Sequence, residues 1–271
     1  MSHGYVTSNA LAAVGPTAFT WSTGGTTNRG FLNDGRLDKV ATSGGSATTT
    51  DLVIDFSGAT SLIGFAVLNH SMATWTAPTM TIVGADDAGM TTNAVTKFGP
   101  TSVVQSAPNH KDAVFKFGSS ASRRYWMLRF IDSSARTLSL GEVYGIAAVT
   151  TLSRKKTYGH SETEEYRLNA IETQTGERRG TFLAGPIRTK KLPFADVQGT
   201  ERDELMAMWR ATYGGASPLL WLEDAGATAV AREQECILGK LQPSFGWTER
   251  DYDLFDATAL ELRSLAREVG A

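Results

Sequence analysis

The sequence predicts a mainly β protein in two parts: an all-β sandwich over residues 1–150, then a β-rich domain with one packed α-helix over residues 151–271. Three observations carry this. In the first part, apolar residues recur with period two in short runs separated by Gly-, Ser-, Thr- and Asp-rich turns, as in the strands of a sandwich. No stretch there keeps the 3.6-residue period of an amphipathic helix. Near residue 150 the composition shifts, and Arg154-Lys155-Lys156 opens a more charged half.

The first fifty residues are poor in charge. Residues 22–27 and 43–50 are Ser/Thr/Gly runs that read as loops, because short polar side chains compete for backbone hydrogen bonds. Asn33-Asp34-Gly35 between them is a turn signal. Leu52, Ile54 and Phe56 alternate with Asp51, Asp55 and Ser57, which predicts a half-buried strand. Residues 61–69 are apolar on both faces and read as a central strand. Further strands are expected over 79–84, 112–117, 124–131 and 138–149. In the second half, 162–173 alternates well, 173–177 reads as a hairpin turn, and 181–187 as the returning strand. Leu205, Met208, Trp209 and Tyr213 form one stripe at helical spacing, so 200–213 is the expected helix. Thr200 with Asp203 is its expected cap, and Gly214-Gly215 its stop. Residues 218–222, 235–241 and 252–262 complete the strands.

Composition excludes several function classes. The chain has 271 residues, 26 Lys plus Arg against 28 Asp plus Glu, and a net charge of -2. That balance lacks the basic excess of a protein that grips nucleic acid by its phosphates. One cysteine, Cys236, cannot build a disulfide framework or a zinc site of several thiolates. No run approaches the roughly 18 apolar residues of a membrane span, and the first residues lack a basic region followed by an apolar run, so no signal peptide is expected. No membrane insertion, no nucleic-acid partner and no cofactor are expected.

The chemistry-bearing residues each carry a plainer reading. His160, Glu162 and Glu164 share one side of a strand and could approach a metal, against a solvated strand face. Asn69 and His70 close an apolar strand and could line a sugar-binding loop, against a hydrogen-bonded loop. Trp75 lies in an expected loop, where it would stack on a partner or a sugar ring, or else cover the end of the core. Asp34-Gly35 and Asp86-Asp87 lack the spaced oxygen ligands of a calcium loop. Cys236 reads as a buried hydrophobe. The basic groups Arg154, Lys155, Lys156 and Arg188, Lys190, Lys191 could touch nucleic acid, but acids such as Glu162 and Glu164 can neutralise them, and they read as a solvated or subunit-facing surface. No nucleophile elbow, zincin or phosphate-loop pattern is present, and no catalytic residue is expected.

Six segments stand in the order of a discoidin-like, galactose-binding-type jelly roll: residues 31–36 (FLNDGR), 51–56 (DLVIDF), 63–70 (IGFAVLNH), 81–87 (TIVGADD), 124–130 (RYWMLRF) and 140–145 (LGEVYG). The version with Asn69-His70 and Gly141-Glu142-Val143-Tyr144-Gly145 resembles those in the tail proteins of tailed bacteriophages. The second half is similar to the β-barrel modules of tail-tube and distal-tail rings, in the helix near 200–213, the segment 217–224 and the closing 260–265 (LELRSL). The resemblance implies an N-terminal jelly-roll β-sandwich and a β-barrel-like domain with one packed α-helix. It implies a non-enzymatic structural protein of the virion, assembled in the bacterial host cytoplasm. Its partners would be copies of itself in a ring, six-fold or three-fold nearer the tip, together with other phage tail proteins. A carbohydrate-binding module contacting a host surface glycan is the alternative, with Asn69, His70 and Trp75 as contacts; a wall hydrolase using a carboxylate such as Glu164 is the third.

Overall fold

The computed structural model describes residues 3–24, 28–102, 111–153, 161–172, 178–226, 236–242, 246–251 and 254–265. In chain order the elements are β1 (Gly4–Val6), β2 (Phe19–Trp21), β3 (Ala41–Thr42), β4 (Ala47–Leu68), β5 (Thr79–Ala85), β6 (Val95–Ser102), β7 (Asp112–Arg136), β8 (Ser139–Leu140), β9 (Glu142–Ile146) and β10 (Thr150–Thr151). Then come β11 (Ser161–Glu172), β12 (Arg178–Gln198), α1 (Gly199–Ala211), β13 (Leu219–Leu222), β14 (Cys236–Leu241), β15 (Trp247–Asp251) and β16 (Leu254–Ser264). The fold is mainly β with a single α-helix among the described residues, as the patterning predicts. No helix among them is long and apolar enough to cross a membrane.

The chain divides into two compact units, one of Ser8–Val149 with Gly226–Cys236, the other of Met1–Thr7, Thr150–Ala225 and Ile237–Ala271. The expected boundary at residue 150 therefore misplaces the first strand. β1 pairs with β13 (Tyr5 opposite Trp221) and with β10 (Tyr5 opposite Thr150), inside the second unit. Three consecutive buried residues show no period, so nothing in the local pattern assigns them.

In the jelly-roll unit the strand order is β2-β4-β7-β5-β6, with β9 on the other part of β4 and a separate β3-β8 pair. The strands expected at 51–57 and 61–69 are one strand, β4, and those at 112–117 and 124–131 are one strand, β7. Leu52 and Ile54 from one end of β4 and Phe65 and Val67 from the other enter the same core. Aromatic rings fill it: Phe117 stacks on Trp126 at 5.5 Å, and Phe65 meets Trp126 edge-on at 5.6 Å. Edge-on and offset geometries suit the ring quadrupole. Between the pairs Asp55–Tyr125 and Thr60–Arg123, residues 56–59 of β4 stand against Arg124 alone. Ser57 takes a left-handed φ of 62° in this bulge, and bulges of this kind re-aim side chains.

The second unit holds one sheet in the order β10-β1-β13-β14-β16-β12-β11, with β15 on β16. β10 and β12 stand five spacings apart, about 24 Å in a flat sheet. Yet Ser153, just past β10, bonds Glu204 of α1, and α1 packs on β12 and β16. A helix is only about 10 Å across, so the sheet is curled. Its core gathers Tyr5, Leu192, Phe194, Leu205, Met208, Trp221 and Leu260. The helix caps differently from expectation. Gln198 is the N-cap, its N–H donating to Glu201 at 2.9 Å in a reciprocal capping box. Gly214 and Gly215 stop the helix at φ 67° and 87°, as expected. Tyr213 does not join the apolar stripe and is 80 % exposed, because the chain leaves the helix before it.

Candidate functional site

The three expected glycan contacts are structural. Asn69 sits at φ 52° and is 3 % exposed. Its Nδ2 donates to the Leu37 carbonyl at 2.9 Å, and its N–H to Asp112 Oδ1 at 3.0 Å. Gly141 comes so close that a Cβ there would lie 2.8 Å from the Asn69 Cβ. His70 is fully buried, with its N–H on the Lys111 carbonyl at 2.9 Å. Trp75 is not an exposed loop residue. A 3-10 turn (Ser71–Thr74) folds the loop back, Trp75 N–H closing on the Met72 carbonyl, and the indole covers the end of the core.

The other motif residues do the same work. Asn33 donates to the carbonyls of Leu11 (2.6 Å) and Val14 (2.7 Å). Glu142, 1 % exposed, accepts from Asn9 Nδ2 and from the Gly35 N–H, both at 3.0 Å, which ties the N-terminal loop and the Asn-Asp-Gly turn to β9. Burial pushes its carboxyl up to about 8, against the lowering effect of the Gly35 N–H. Asp87 is used in its own loop, accepting from the N–H groups of Thr91 and Thr92, which holds its pKa below the usual range.

Two of the expected interface charges do not face outward. Arg188 and Lys190 are 2 % and 5 % exposed. Arg188 Nε donates to Glu162 at 2.6 Å, and Lys190 binds Glu223 and lies 3.7 Å from Glu162. His3 Nδ1 meets the Glu223 carbonyl at 2.8 Å and stacks on Trp221. Arg188 and Lys190 turn into the curl of the sheet because β12 side chains at alternate positions face inward, and the more open Glu162 and Glu223 pair with them. Lys191 turns outward, with a 57 % exposed side chain 3.8 Å from Glu261. Glu164 is exposed. Arg154, Lys155, Lys156 and His160 lie outside the described residues, and with them the His160–Glu162–Glu164 set. Among the described residues no group of three or more metal-ligating side chains assembles. Cys236 is buried, as its pattern suggests.

The feature that sequence reading misses is a groove on the outer face of the jelly-roll sheet. It encloses about 430 Å³ and is lined by Thr17, Ala18, Thr20, Val53, Asp55, Ser57, Ala88 and Tyr125. Four segments build it. Asp55 and Tyr125 stand directly opposite on β4 and β7, the bulge supplies Ser57, β2 supplies Thr20, and the loop after β5 supplies Ala88. Arg124 is freed by the bulge to grip Asp55 with two bonds of 2.9 Å, and its guanidinium lies 4.8 Å from the centre of the Tyr125 ring. Asp55 also accepts from the Ser57 N–H at 2.7 Å and from Tyr125. The Arg124 bond above all holds its carboxyl below the usual range. The groove is thus rigid, and the charge of its one lining acid is compensated. Its only sequence signal is the Ser57-Gly58 pair within an alternating run, which reads as a simple gap between strands.

No protein-family model matches the chain, and no curated protein matches it. Solved structures do. A chitosan-binding module from a chitosanase/glucanase of Paenibacillus sp. IK-5 is 16 % identical with a TM-score of 0.38, covering 51 % of this chain and 98 % of its own. The CBM32-5 module of Clostridium perfringens, in complex with GalNAc-β-1,3-galactose, is 13 % identical with a TM-score of 0.37, covering 48 % and 94 %. The lectin domain of lectinolysin, complexed with Lewis B antigen, is 14 % identical with a TM-score of 0.38, covering 52 % and 98 %. At this distance the likeness is one of fold alone.

Proposed function

We propose that this chain is a non-enzymatic structural component of a bacteriophage tail, at the distal end or tip. It would assemble with copies of itself into a ring, six-fold or three-fold, and dock other tail proteins. The observation that carries this is the open edge of the curled sheet. β11 is twelve residues long, and among the described residues no strand pairs with its outer side. Ser161 to Glu165 along it are all exposed. Long open edges are templates for another strand, and monomeric proteins shorten or cover them. The resemblance of the ordered motifs to those of tail-protein jelly rolls supports the same reading. Negative-stain images of the purified protein should show rings; a field of single particles the size of one chain overturns the proposal. Recognition of a host surface glycan is a second reading, favoured by the neutral groove beside Tyr125.

A further inference from the structure

We infer that the groove between Asp55, Ser57, Thr20 and Tyr125 is a binding site for a neutral saccharide chain. This rests on the second reading above and is independent of ring formation. The chemistry of the lining selects the ligand class. The groove's acid is matched by Arg124 in a two-bond pair, so a charged ligand finds no unmatched charge to pair with. Thr17, Thr20 and Ser57 offer hydroxyls that both donate and accept. Ala18, Val53, Ala88 and the Tyr125 ring offer apolar surface between them. Alternating hydroxyls and C–H faces are the surface of a sugar ring. The 430 Å³ lies within the usual range of small-molecule sites, about 300–1,000 Å³.

Preorganisation supports the assignment. Asp55 makes bonds to Arg124, Ser57 and Tyr125 at once, and this fixes the aromatic ring and the bulge before any ligand arrives. Ser57 is held at φ 62°, a conformation that costs a residue with a Cβ and persists where its surroundings enforce it. The inward partners of these residues, Ile54 and Trp126, are fully buried, so the platform stands on the core.

The test is ligand-observed and protein-observed NMR titration of the full chain with cellotetraose, maltotetraose and N-acetyllactosamine, and with tetragalacturonate as the anionic comparison. At least one neutral sugar should bind and shift resonances of Thr20, Ser57 and Tyr125. Tyr125→Ala should weaken that binding about tenfold, and Thr20→Lys, an exposed change beside the ring, should weaken it without altering the melting temperature. Binding of none of the neutral sugars, tighter binding of tetragalacturonate, or binding indifferent to both substitutions overturns the inference. Ring images of the same preparation are read separately, so loss of sugar binding leaves the assembly proposal standing and the reverse also holds.

Discussion

Substituting Glu142 by Gln should change how stability depends on pH more than stability itself. The carboxyl titrates at about 8 in the fold against 4.5 as a free side chain, mainly because burial disfavours its charge. A raised folded pKa means that its contribution is complete below pH 4.5 and is lost as pH rises through about 8. At about 1.4 kcal/mol per pH unit, the native chain loses about 3 kcal/mol from this group between pH 5 and pH 8. The amide introduced by Glu142→Gln cannot titrate. Its nitrogen faces one of the two donors, Asn9 Nδ2 or the Gly35 N–H, and costs about 1–3 kcal/mol at every pH. The carboxylates with lowered pKa, such as Asp55, act only as pH falls further and are common to both proteins. Denaturant unfolding of both proteins from pH 5 to pH 8 gives the difference directly, and amide exchange at Gly35 reports the bond itself. Parallel stability curves, agreeing within about 0.5 kcal/mol after a constant offset, refute the reasoning.

Further outcomes follow from the same geometry. Trp75→Ala should cost about 3–5 kcal/mol of stability, measured by denaturant unfolding, because it empties the end of a core; sugar affinity measured on folded protein should be unchanged. Lys190→Met should cost about 1–3 kcal/mol, because the half-buried Glu223 loses its ammonium partner while keeping the Trp221 indole N–H, whereas Lys191→Glu on the outer face should change stability by less than about 1 kcal/mol. Gln198→Ala should lower stability by about 1 kcal/mol through loss of the capping box. Gly215→Ala should be severe by thermal melting, since φ is 87° and a Cβ would lie 2.0 Å from the Leu241 carbonyl oxygen.

Alternation made the centres of the strands legible in the sequence, and the stripe Leu205-Met208-Trp209 did the same for the helix. It could not show that residues 51–57 and 61–69 form one strand, because a bulge looks like a loop when read along one chain. Strands β1 and β2 escaped because three residues are too few to establish a period, and β6 because Gly99-Pro100 interrupts its run. The site was least legible. Asn69, His70 and Trp75 look like loop residues locally; Asn69 and His70 are covered by the return of Leu37, Lys111 and Gly141, and Trp75 by the 3-10 turn that folds its loop onto the core. The groove depends on Asp55 meeting Tyr125, which are far apart in the chain and paired by register alone. Lys190 likewise became an internal charge because the sheet curls and brings Glu223 to it.

The most direct measurement of the central claim is sedimentation equilibrium of the purified chain across a wide concentration range. Self-assembly through the β11 edge is expected to give a closed species of six, or three, chain masses, lost when a proline at Thr163 or Glu165 disrupts that edge strand. A single-chain mass at every concentration, unaffected by those substitutions, contradicts it.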